Sequence, residues 1–113
     1  MSDRRGDPLR LGDILQSIER LEEVLALGYE HFQGSWLSQS ATIRELEVIG
    51  EASGAISSYL RDKHPEISWK KMRGFSSFSK HEYWRIIPEE VWKTLEEMPE
   101  LRKKVGQVVA RSD

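Results

Sequence analysis

Residues 41–62, ATIRELEVIGEASGAISSYLRD, decide what kind of fold this chain can have. Ile43, Leu46, Ile49, Ala52 or Ser53, Ile56 and Leu60 recur at intervals of three and four, the period of a helix with one buried stripe. The spacing predicts one long helix from about Ala41 to Asp62. Gly50 and Gly54 stand inside it, one turn apart, where each costs about 1 kcal/mol relative to alanine. The simplest reason to keep them is another backbone passing close by. A helix crossing within one chain and an interface between two chains both fit.

The segments on either side share this period. Leu11, Ile14, Leu15, Ile18, Leu21 and Leu25 form an apolar stripe, with Glu19, Arg20, Glu22 and Glu23 opposite, so residues 8–27 read as an amphipathic helix. Asp7 and Pro8 suit its start, the first as a cap and the second in the first turn, and Gly28 suits its stop. Between Tyr29 and Ser40 the period is lost, which predicts a connection, with Phe32 and Trp36 covering one end of the core and His31 a surface or packing residue. Downstream, His64-Pro65 ends the second helix, because a residue before proline avoids the helical region. Ser68 to Met72 predict a short helical turn broken at Gly74. Residues 75–84 predict a third helix, with Phe75 and Phe78 on one face. Pro88 opens a fourth, with Val91, Trp92 and Leu95 inward. Pro99 restarts the chain toward a last face of Leu101, Val105, Val108 and Val109. No stretch alternates as a strand would, so the expected fold is all-α, an up-and-down bundle of four to five helices. The expected organisation is a flexible tail over residues 1–7 and a single helical domain over 8–110.

Composition agrees. The chain of 113 residues has the length of one domain. Its 38% hydrophobic and 32% charged residues suit helices with one buried stripe, or a subunit that covers more surface in an oligomer. No cysteine is present, which excludes disulfides and thiolate metal sites. No apolar run reaches the roughly 18 residues of a membrane span, and the N-terminus lacks the apolar core of a signal peptide. The expected location is the cytoplasm, with no membrane partner.

Charge is unevenly spread. The net charge of −2 argues against bulk coating of nucleic acid. Residues 61–85, however, carry seven Lys/Arg against three acids, which leaves that segment at +4 and the remainder at −6. His64, His81, Trp69 and Trp84 lie in the same segment. Such a patch suits a phosphate-bearing partner; a solvated helix face is the plain alternative.

Most site chemistries fail on inspection. The chain has no glycine-rich phosphate loop and no two-histidine metal spacing. What remains is His81-Glu82-Tyr83. Histidine titrates near neutrality and can both take and give a proton. Metal-free RNA cleavage needs that: a base for the 2'-hydroxyl, an acid for the leaving 5'-oxygen, and a cation for the phosphate. A tyrosine can hydrogen-bond the phosphate or stack on a base. One His-x-Tyr supplies part of this set, and a two-fold dimer could bring the rest. Alone it is a weak signal.

The segments LEVIGEA (46–52), HPEISW (64–69) and HEYW (81–84), at these separations in a helical chain, resemble the HepT-like family, small HEPN-domain proteins found beside minimal nucleotidyltransferases. The similarity runs from about Leu9 to Val109. It implies an all-helical homodimer acting as a toxin ribonuclease, with the active site at the subunit interface and no cofactor or metal. It implies a nucleotidyltransferase partner that serves as antitoxin by adding AMP to the motif tyrosine. Carried over by position, His81 is the acid/base and Tyr83 the site tyrosine and AMP acceptor. The family signature places an arginine four to six residues ahead of His-x-Tyr. Here the four-residue spacing falls on Ser76, and the nearest upstream arginine, Arg73, has seven residues between it and His81. Arg73 and Lys80 are the candidate phosphate contacts. The missing arginine also leaves a second expectation: a HEPN dimer that binds a nucleotidyltransferase without cutting RNA.

Overall fold

The helix over Asp7–Leu27 (α1) is the element around which the others assemble. Its stripe of Leu11, Ile14, Ile18, Leu21 and Val24 is buried almost completely. Each such side chain contributes about 1.5–3 kcal/mol when taken out of water. The computed structural model describes residues 4–80 and 88–111, and within them every regular element is helical. After α1 come α2 (Tyr29–Gly34), α3 (Trp36–Gly54), α4 (Ser58–Lys63), α5 (Trp69–Gly74), α6 (Ser77–Lys80), α7 (Pro88–Glu96) and α8 (Met98–Arg111). The all-α bundle is as expected. Its helices are cut more finely than periodicity suggests, for reasons that can be named.

Gly28, at φ 92°, turns the chain out of α1. The expected connection after it is largely helical. Ser35 adopts an extended conformation and its hydroxyl accepts from the Ser38 amide at 3.1 Å, so α3 starts at Trp36 rather than Ala41. That start corrects the expectation for Trp36. In the first turn the indole faces outward, 72% exposed, and covers nothing. Phe32 is buried as expected, but its partner is Trp92 of α7, with ring centroids 5.5 Å apart. Tyr29 meets the same indole edge-on. His31 is at the surface.

The long helix expected over 41–62 breaks at Ala55–Ser57. Ala55 and Ile56 donate to Ala52 and Ser53, three residues back, which tightens the end of α3. Ser57 then caps α4 through its hydroxyl, which accepts from the Leu60 amide. The break is fixed from outside. Both oxygens of Asp7 are used by Ser57, one accepting from its amide at 2.9 Å and the other from its hydroxyl at 2.6 Å. Asp7 therefore does not cap its own helix; Gly6 holds the N-cap position and Asp7 is buried. Ile56 and Leu60 still point into the core, so the stripe survives the break. At the ambiguous position it is Ser53, not Ala52, that is fully buried.

α1 runs antiparallel to both α3 and α8. Ser17 and Arg20 reach Glu45 of α3, and Arg102 of α8 reaches Glu22. Val91 and Leu95 of α7 and Val105 and Val108 of α8 close the core from the other side, as their spacing predicts.

Gly50 explains itself. A Cβ there would lie 2.6 Å from the Ser76 amide nitrogen, 2.7 Å from the Ser76 Cβ and 3.0 Å from the Arg73 carbonyl oxygen. The passing backbone is the α5–α6 turn of the same chain. At Gly54 a Cβ would meet only the flexible Arg73 side chain at 3.6–3.8 Å. The two glycines should respond oppositely. Gly50→Ala must push the turn off α3 and should destabilise by about 1–3 kcal/mol despite its better helix propensity. Gly54→Ala should be neutral or stabilise by up to about 1 kcal/mol. Urea unfolding followed by circular dichroism measures both.

Candidate functional site

The turn that presses on Gly50 belongs to the cationic segment. α5 ends at Gly74, and the chain bends through Phe75 and Ser76 before α6 begins at Ser77. Phe75 is buried and Phe78 packs against the core, which anchors both sides of the bend. The serines close it. The hydroxyls of Ser76, Ser77 and Ser79 donate to the carbonyls of Arg73, Gly74 and Ser76, at 3.0, 2.7 and 2.8 Å. Serine at these positions adds donors to the carbonyls around the break; that of Arg73 also accepts from the Ser76 amide at 3.4 Å. The serine run is thus part of the backbone architecture. The expected helix over 75–84 begins two residues late, at Ser77, and residues 73–80 do not form one continuous helix.

Arg73 is exposed on α5 and lines an open depression of about 620 Å³ with Arg61, Trp69, Lys70 and Gly74. Among the described residues, three cations and no carboxylate line it. Trp69 is 7% exposed, and its indole nitrogen donates to the His64 carbonyl at 3.0 Å. The ring is the floor of the depression and not a free stacking surface. This bond ties α5 to the end of α4, and so fixes the Arg73 and Lys70 backbone relative to Arg61. His64 is buried, with Nδ1 3.2 Å from a Glu66 oxygen. The Glu66 carboxyl is held below its usual range, first by its own backbone amide and then by His64. Lys71, beside Lys70, is engaged elsewhere, with Glu97.

Of the expected site residues, Arg73 is thus brought together with Arg61 and Lys70. Lys80, exposed at the end of α6, is not among the residues lining the depression. His81 and Tyr83 lie outside the described residues. Arg61 and Lys70 were visible in the sequence as charge within 61–85, but only the α4–α5 packing shows that they share a face with Arg73. Among the described residues no group of three His, Asp or Glu could hold a metal ion, and no helix is long and apolar enough to cross a membrane.

The sequence of this chain is matched by known proteins. Residues 14–108 match the family described as Ribonuclease HepT-like. The chain belongs to the HepT-like ribonuclease family. It is 38% identical to "Probable ribonuclease HepT" of Thermococcus cleftensis, over 83% of this chain and 87% of that protein. It is 35% identical to "Putative RNase TTE0752" of Caldanaerobacter subterraneus subsp. tengcongensis, over 89% and 92%. A third relative, "Putative RNase MJ1380" of Methanocaldococcus jannaschii, is 36% identical over 84% and 89%. No solved structure matches the chain significantly.

Replacing Trp69 by Phe keeps the buried ring but removes the indole donor of the His64 carbonyl, which then accepts only from the Ile67 amide at 3.3 Å. The expected cost is about 1 kcal/mol, read as a lower urea midpoint by circular dichroism.

Proposed function

We propose that this chain is a metal-independent endoribonuclease toxin that works as a homodimer, with His81 as general acid/base and Tyr83 beside it. The observation that carries the reading is the family match over residues 14–108, which contains His81-Glu82-Tyr83 just downstream of the Arg61, Lys70 and Arg73 face. In this reading RNA phosphates are drawn to that face, the histidine takes the 2'-hydroxyl proton, and the oxygen attacks the adjacent phosphorus. The 5'-oxygen leaves with a proton, and a 2',3'-cyclic phosphate remains. Arg73 supplies the cation. The break at Gly74–Ser76 supports that role, because it removes the fixed axial separation that a continuous helix would impose on Arg73 and His81. A second copy completes the acid–base pair across a two-fold interface.

Control follows from the same chemistry. A partner nucleotidyltransferase acts as antitoxin by adding AMP to Tyr83. The bulky anionic adduct fills the site and repels RNA phosphate.

A second reading rests on Ser76. At the position of the motif arginine, its hydroxyl is committed to the Arg73 carbonyl and its backbone is pressed against Gly50. In that reading the dimer binds a nucleotidyltransferase and does not cut.

The purified protein should cut single-stranded RNA in EDTA and leave 2',3'-cyclic ends, and His81→Ala should abolish cleavage. Intact RNA after prolonged incubation, together with a stable complex with the nucleotidyltransferase, would establish the second reading instead. Arg73→Gln should lower the cleavage rate by about 10²-fold or more if its guanidinium meets the transition-state charge. If it only attracts RNA, the change should instead be a salt slope of binding shallower by about 0.7. Arg73 is exposed, and a thermal melt checks that the variant folds.

A further inference from the structure

A second cationic cavity lies on the other side of α4. It has a volume of about 470 Å³, and its lining includes Arg4, Asp7, Tyr59, Lys63, His64 and Arg111. The cations come from three places far apart in the chain: the segment before α1, the last residue of α4 and the last residue of α8. Antiparallel packing of α1 on α8, and the Asp7–Ser57 bonds that hold α4 to the start of α1, bring those ends together.

Among the described residues that line this cavity, three cations face one carboxylate. Among the described residues Asp7 is the only carboxylate in its lining, and both its oxygens already accept hydrogens from Ser57. Arg4 is held by an aromatic ring, its guanidinium carbon 4.2 Å from the centroid of Tyr59. Lys63 approaches the same ring, with Nζ 5.3 Å from its centroid. Such cation–π contacts orient a cation without cancelling its charge. The hydrogen bond from Lys63, then its charge and that of Arg4, hold the Tyr59 phenol below its usual pKa. Tyr59 is 45% exposed, so its hydroxyl can take part in binding. Facing groups from neighbouring elements are His64, paired with Glu66, and Arg111, whose charge acts on the same Glu66 carboxylate.

We propose that this cavity is a phosphate-binding site separate from the Arg61–Lys70–Arg73 face, in which Arg4, Lys63, Arg111 and the Tyr59 hydroxyl hold the phosphate of a ligand. Its volume is that of a small-molecule site, and its donors suit a dianionic oxyanion. Arg4 and Arg111 both fall outside the family match of residues 14–108. The phosphate could be that of a free nucleotide or that of an RNA strand crossing α4, which carries Arg61 toward one cavity and Lys63 toward the other.

The test is calorimetric titration of the full chain at low salt with inorganic pyrophosphate, with ADP, and with a 2'-O-methyl RNA oligonucleotide that a ribonuclease of this kind cannot cleave. Wild type is compared with Lys63→Gln, Arg111→Gln and, as a control on another exposed face, Lys93→Gln. All three side chains are exposed, and a thermal melt confirms that each variant folds. Loss of one charge-assisted hydrogen bond should weaken binding by about tenfold or more in the first two variants and leave the control unchanged. Weakened binding of pyrophosphate or ADP identifies a free phosphate compound as the ligand. Weakened binding confined to the RNA analogue identifies the strand. Ligand binding should also raise the Tyr59 phenol pKa in a nuclear magnetic resonance titration, as an anion does to a neighbouring phenol. Absence of binding by all three probes, or equal losses in Lys93→Gln, overturns the proposal. Cleavage activity is not a readout here, so failure of this site and failure of the ribonuclease reading remain distinct.

Discussion

The bend between α5 and α6 can lie where it does because α3 has no side chain at Gly50. The Ser76 amide and the Arg73 carbonyl occupy the space a methyl group would need. This close approach sets the depth at which α5 docks, and with it the position of the Arg73 backbone. Phe75 and Phe78 then drive into the core from either side of the bend, and three serine hydroxyls add donors to the carbonyls around it. A hydrophobic anchor, a polar repair and a steric allowance act on one short turn. Removing any of them would let the cationic face move relative to the helix behind it.

The rest of the bundle is held by burial, with a few polar links that decide registration. α1 supplies the central stripe. Along it Ser17 and Arg20 fix α3 through Glu45, and Glu22 fixes α8 through Arg102. Exposed ion pairs such as Arg102–Glu22 add little to stability. Asp7–Ser57 is different in kind, because it is buried and satisfies an amide and a hydroxyl at once. It breaks what would otherwise be one long helix. The break turns α4, so that Arg61 and Lys63 serve different cavities.

Two cationic regions on one acidic chain also make sense of the charge distribution. The +4 of residues 61–85 is divided by the fold. Arg61, Lys70 and Arg73 form one face, Lys63 joins the chain ends, Lys71 binds Glu97, and Lys80 stands apart. The proposed ribonuclease chemistry needs only the first of these groups close to His81. The second region has its own geometry, and two of its three cations lie beyond the family's matched span.

Periodicity alone determined the all-helical class and the buried stripes of α1, α7 and α8, because each depends on neighbours three or four residues away. The stops at Gly28 and His64-Pro65 followed from the backbone preferences of glycine and of a residue before proline. Motif spacing alone determined the family. The sequence also showed that something must pass near Gly50, since an interior helical glycine is costly without a reason. What passes there, and whether it belonged to the same chain, required the tertiary structure. So did the outward turn of Trp36, the burial of Phe32 on Trp92 in its place, and the break at Ser57. In each case a partner from elsewhere in the chain decided between local conformations of similar energy. The grouping of Arg61 and Lys70 with Arg73, and of Arg4 with Lys63 and Arg111, is likewise a result of packing. Charge can be counted along a chain, but a shared face exists only once helices from distant segments have docked.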